Sequence, residues 1–278
     1  MAQYIGWNKY LTWNVLGCKI TVDKQNEVKP MKLHIQPKND KLGKIWNISL
    51  PAVETCGGMS AACAGEDGKC YVLKIYKRWP TVLTAHRNTY VNILNALEDG
   101  DDLELPSKVK DGDMFRIHVA GDFFAPVYTY AWITLIKNNP NVNFFAYTRS
   151  WRMHDMEDSL KELAALPNME LLLSVDRDTG YPDKTVWPDF RTAFMMVTDV
   201  DAPLVEPDTH VVFRDNRYAI LKQVNGNLVC PTENGISKVT CDKCKWCFRD
   251  NPNKFGLKVA ESDDAEQVSV DGNLSMVS

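Results

Sequence analysis

The sequence has no apolar run of the roughly 18 residues that a membrane span needs. Its longest uncharged apolar stretch, Phe123 to Ile136, is shorter and is interrupted by Pro126. The opening residues, MAQYIGWNKYLTW, lack the basic start and apolar run of a secretory leader. A reducing, cytoplasmic setting is therefore expected, with no membrane partner. There is no surplus of basic charge either: 32 Lys and Arg stand against 36 Asp and Glu, for a net charge of −4. Nucleic-acid binding, which calls for a basic face, is not indicated. The acidity is local. The last residues, from Glu261, hold five acids and no Lys or Arg, and without them 32 basic residues face 31 acidic ones. That tail reads as disordered, and Glu98 to Glu104 (EDGDDLE) reads as a solvated loop.

What the sequence does have is cysteine, 8 residues in a chain of 278. A chain of this length buries a core without disulfide staples. Clustered cysteines in a reducing compartment bind metal more often than they pair.

Short apolar runs alternate with helical periodicity through the middle of the chain. Lys44–Leu50, Asp113–Ala120, Asn143–Thr148, Glu170–Val175, Ala193–Val197 and His210–Phe213 read as strands. Between them, 71–78 and 81–97 read as helical, a helix opens at Pro126, and Asp155 is a good N-cap for another. The pattern predicts an α/β fold, a partial (β/α) barrel of about six parallel strands with a cysteine-rich C-terminal extension. A doubly wound open sheet is the alternative. The expected division is an N-terminal extension over 1–43, the barrel over 44–225, a cysteine-rich segment over 226–258 and the acidic tail over 259–278.

Either architecture puts its chemistry at the carboxyl ends of the strands. Those ends carry Cys56, Cys63 and Cys70 after the first strand and Gly121–Asp122 after the second, with His118 inside it. Arg149 follows the third strand and Asp176 the fourth. Asp122, Arg149 and Asp176 are the candidate catalytic groups, and His118, Gly121 and Asp122 the candidate cofactor-binding ones. Each also has an ordinary structural reading as a cap, an ion pair or a hydrogen-bonded core residue. Their coincidence on one rim favours function.

Two cysteine groups point to metal. Cys56, Cys63 and Cys70 are spaced by six residues, in a loop whose glycines give it the freedom to gather them. Three thiolates suit a 4Fe–4S cluster with one iron left open; His118 is an alternative fourth ligand, since imidazole replaces thiolate in some clusters. Cys241, Cys244 and Cys247 form an overlapping C-x-x-C-x-x-C run, and Cys230 precedes Pro231. Cys-x-x-Cys runs with a Cys-Pro ligand occur in ferredoxins, and zinc is the alternative metal here. Cys18 is left over as a free thiol.

A three-cysteine loop after the first strand of a partial barrel resembles radical S-adenosylmethionine enzymes, and Ala120–Gly121–Asp122 resembles their Gly-Gly-Glu-like motif. That resemblance implies bound S-adenosylmethionine, although the spacing here is six residues rather than three and two. A closer one covers about 200 residues. SLPAVETCGG (49–58), CYVLK (70–74), RIHVAGDFF (116–124), FFAYTRSWR (144–152), LLSVDRDTGYP (172–182), CPTENG (230–235) and CDKCKWCF (241–248) resemble successive blocks of the phage gene-product-88-like family. It implies a phage- or plasmid-encoded, metal-binding protein in the cytoplasm of a bacterial host. The leading reading is an iron–sulfur redox protein, taking electrons from a host donor and acting on an unidentified small or macromolecular substrate. The alternatives are a non-catalytic electron carrier or redox sensor, and a zinc-stabilised binding module.

Overall fold

A computed structural model describes residues 31–37, 39–64, 70–214, 222–233 and 239–248, together with the backbone of an antiparallel hairpin, Tyr10–Val15 with Cys18–Asp23. The acidic tail and the side chain of Cys18 lie outside the described residues. The centre is a six-stranded sheet: β1 (Trp46–Asn47), β2 (Met114–Ile117), β3 (Asn143–Thr148), β4 (Met169–Val175), β5 (Thr192–Met196) and β6 (Val211–Arg214). All neighbours are parallel and the spatial order follows the chain, so the sheet grows one way and curls into a half-barrel. The partial barrel expected from the alternating pattern is the fold, and the doubly wound alternative, whose strand order would reverse, is not.

The helices form one covering layer. α1 (Ala61–Ala64), α2 (Tyr71–Arg78) and α3 (Pro80–Asp99) lie between β1 and β2, α4 (Pro126–Lys137) follows β2, and α5 (Glu157–Ala164) follows β3. Pro80 and Pro126 open α3 and α4, where a missing N–H is harmless and φ is already helical. Gly100 ends α3 in the left-handed conformation at φ 76°. Alternate strand residues face this layer: Phe115, Ile117, Phe144, Ala146, Leu171 and Leu173 pack against Tyr128, Trp132, Leu160 and Leu163. Among the described residues no helix is long and apolar enough to cross a membrane.

The opposite, concave face is covered as well. Phe145 packs with Leu42 and Ile45, and Leu172, Ala193 and Val211 pack with Cys230. Burial on both faces explains why the strands read as continuous apolar runs rather than alternating ones. Two short pieces do this covering: the segment before β1 and the cysteine-rich segment, which holds α6 (Cys241–Cys244). The cysteine-rich stretch is thus the lining of the half-barrel.

Candidate functional site

The first cysteine loop sits at the mouth, against the carboxyl ends of β2, β3 and β4. Arg149, after β3, pairs with Asp176, after β4, at 2.5 Å. The Ser60 hydroxyl donates to the same Asp176 oxygen at 2.5 Å, and the N–H groups of Asp178 and Thr179 donate to the other. Burial would raise the Asp176 carboxyl, but Arg149 and these donors outweigh it and hold it below the usual range. Asp178 accepts from the Ala62 N–H at 2.5 Å. Arg152 reaches back to the carbonyls of Gly58 and Met59 at 2.9 and 3.0 Å. Gly58 lies so close that a Cβ there would stand 1.9 Å from the Arg149 carbonyl oxygen.

Asp122 is buried beside the same loop. It accepts from its neighbour's Phe123 N–H, from the Thr148 hydroxyl and from the Arg149 N–H, at 2.7–2.8 Å. Burial raises its carboxyl above the usual range, against those three donors. Gly121 takes φ 83°, and a Cβ would meet Leu50 and Thr55 inside 3 Å. The structure therefore brings Gly121, Asp122, Arg149 and Asp176 to one rim beside the cysteines. Asp122 ties the end of β2 to that of β3, Arg149 and Asp176 join β3 to β4, and Asp176 holds the loop through Ser60.

Cys56, Cys63 and Cys70 are half-buried and free of disulfides. The Cys70 N–H donates to the Cys63 carbonyl at 2.8 Å, although 65–69 lie outside the described residues. Burial pushes the Cys56 thiol up to about 12, with Asp122, Cys63 and Cys70 adding to it. Burial also raises Cys63, against the pull of Arg149. His118 does not join them. It has φ 60° and turns its ring into the core among Phe123, Tyr128 and Trp132, with Nε2 2.8 Å from the Tyr128 hydroxyl.

The second group surrounds a recess on the concave face. Cys230, Cys241, Cys244 and Cys247 line it with Lys41, Arg116, Phe145, Tyr147, Val211 and Phe213. The segment is pinned from several sides. Cys230 N–H donates to Val212 O, Cys241 N–H to Lys41 O, and Arg191 to Cys247 O, at 2.8–3.0 Å. Trp246 donates its ring N–H to His210 O at 2.9 Å. The buried Tyr147 hydroxyl donates to the Cys247 sulfur at 2.8 Å. Burial lifts the Cys247 thiol to about 12 and Cys241 to about 11, and raises Cys230; Lys41 pulls the last two down. Among the described residues, no three or more His, Cys, Asp or Glu side chains group closely enough to hold a metal ion.

The Gene product 88 family model matches residues 22–250, a span that contains both cysteine groups and all six strands. The chain belongs to the gene product 88 family. Among the relatives it resembles is the Gene 88 protein of Mycobacterium phage L5, 35% identical over 225 residues, covering 76% of this chain and 83% of that protein. Another is the Gene 88 protein of Mycobacterium phage D29, 30% identical over 155 residues, covering 50% and 60%. No solved structure matches the chain. Both of these relatives are bacteriophage proteins, and neither one's name states a reaction. Within the gene product 88 fold, sequence reasoning missed Ser60, Arg152, Tyr147, Lys41 and Arg116. Ser60 and Arg152 carry no spacing signal, since their partners lie about a hundred residues away. Tyr147 alternates with Ala146 along β3, and that period could have marked it as facing inward.

Proposed function

We propose that the chain is an iron–sulfur protein with two cluster sites on one half-barrel, an inner one at Cys230, Cys241, Cys244 and Cys247 and a mouth one at Cys56, Cys63 and Cys70. The observation that carries this reading is the gathering of four free thiols from separate turns of the chain around one recess. Four cysteines gathered on one recess serve no packing need that Val or Ala would not meet, and soft thiolates select zinc or iron–sulfur centres. The spacing favours the latter. A zinc ion with bonds of about 2.3 Å draws four sulfurs to within about 3.8 Å of one another. Three thiolates at i, i+3 and i+6 over Cys241, Cys244 and Cys247, with Cys230 before Pro231, suit a larger centre with iron and sulfide of its own.

Bound in these places, such centres supply one-electron transfer, and the three-thiol site leaves one iron open to an outside ligand. The chain's own residues do the positioning. Tyr147 donates a hydrogen bond to Cys247, and Ser60, Asp178 and Arg152 hold the mouth loop to the strand ends. Asp122 and Asp176 have their oxygens committed to protein donors, so they support the mouth rather than react at it. S-adenosylmethionine is for this reason not part of the reading.

Anaerobic reconstitution, with counting of iron and acid-labile sulfide, tests it. Two clusters' worth is expected in the full chain, one in Cys241→Ala/Cys244→Ala and one in Cys56→Ala/Cys63→Ala. Stoichiometric zinc with no sulfide would sink the proposal.

A further inference from the structure

The inner recess is lined by three cations, Lys41, Arg116 and Lys245, and they are not equivalent. Lys41 is paired with the Glu233 carboxylate, and its Nζ lies 5.1 Å from the Phe213 ring centroid. Arg116 sits on β2, between Asn47 of β1 and Phe145 of β3 in register. Its Nε donates to the His118 carbonyl at 3.3 Å, and its guanidinium carbon lies 5.2 Å from the Tyr147 ring centroid. Among the described residues no carboxylate forms an ion pair with it, whereas Arg149 and Arg191 each have one. A half-buried guanidinium without a counter-ion is unfavourable. It faces four cysteines that are neutral only while they hold their protons.

We propose that Arg116 is the counter-charge of the inner cluster and sets its reduction potential. This rests on the iron–sulfur reading above. Four thiolates around an iron–sulfur core carry net negative charge, and reduction adds one more unit. A fixed cation beside the cluster stabilises the reduced form more than the oxidised one and raises the potential. Arg116 is suited to this because a guanidinium stays charged at every working pH. Lys41 contributes less, since Glu233 cancels its charge.

The test uses the full chain with Cys56, Cys63 and Cys70 changed to Ala, so that only the inner site loads. Iron and sulfide are counted, and the cluster is titrated under paramagnetic resonance. At an effective dielectric near 20, a unit charge within about 10 Å changes the one-electron reduction constant by about tenfold, about 59 mV. Arg116→Met should lower the potential by about that much with iron content unchanged, and Arg116→Lys should stay near the parent. Glu233→Gln should shift the potential the other way by unmasking Lys41, a sign that loss of packing would not produce. A loaded Arg116→Met protein with the parent's potential overturns the inference. If Arg116→Met does not load, loading of Arg116→Lys at the parent's potential supports a required charge, and failure of both overturns it. A parent chain without iron and sulfide removes the iron–sulfur reading itself, a separate outcome.

Discussion

His118 has the geometry of a residue held for packing. Its ring is 3% exposed, its Nδ1 has no hydrogen-bond partner, and burial, with Arg116 adding to it, depresses its pKa to about 3. An unfolded His titrates near 6.5. Above that pH neither state holds the proton; below it only the unfolded chain does, so stability falls as pH drops from about 6.5 towards 3. Between pH 7 and pH 5 this one group removes about 2 kcal/mol. His118→Gln should flatten the decline by that amount in urea titrations at the two pH values, and an unchanged slope would refute the assignment. Gly58 is the second residue with a sharp outcome. Gly58→Ala drives a Cβ into the Arg149 carbonyl, so it should destabilise the chain by about 1–3 kcal/mol. Iron should be lost from the mouth site and kept by the inner one. The sequence placed His118 near the mouth because it counted position along the strand. A positive φ, which no spacing reveals, turns the ring into the core.

At the scale of elements, the apolar period located all six strands, and β3 to the residue. β1 is shorter than its apolar run because only Trp46 and Asn47 pair with β2, while Ile48 to Leu50 continue as buried coil. Asp155 is not the cap of α5: it lies in the tight turn His154–Met156, and α5 begins at Glu157. β4 and β5 are joined without a helix, so that stretch of the outer layer is loop. α4 depends most on its buried ring Trp132, which is 0% exposed and packs on Phe115 and Phe144. Trp132→Ala should lower unfolding free energy by about 3–5 kcal/mol in denaturant titrations. The mouth depends on the join between β3 and β4. Asp176→Asn leaves Arg149 buried without a counter-charge, a loss of about 3–5 kcal/mol. A change under 1 kcal/mol would show that water already serves that arginine. Which residues stand at these strand ends was legible in the sequence. That they clamp the cysteine loop was not, because the partners of Asp176 and Asp178 lie 116 residues away.

For the whole molecule, the half-barrel carries one cysteine set on its rim and the other on its floor. The division into three and four was legible from spacing. The place of the second set was not, because it depends on a segment folding back over strands laid down much earlier. A ligand that binds only the folded chain stabilises it by mass action, about 2.7 kcal/mol at a hundredfold excess over Kd. Loading with iron and sulfide should therefore raise the Tm of the full chain by about 5–10 °C in anaerobic calorimetry. An unchanged Tm in protein that holds the metal would contradict the placing of the ligands in the folded core. The same placement fixes an order of events during synthesis. Phe145, Val211 and Phe213 are made before Cys230 and the Cys241–Cys244 helix that close over them. Until those last turns emerge, the nascent chain presents an open apolar trough, the kind of surface that recruits chaperones or other copies. Closure of the floor thus belongs to the end of translation, and a chain cut short before Cys230 leaves that trough uncovered.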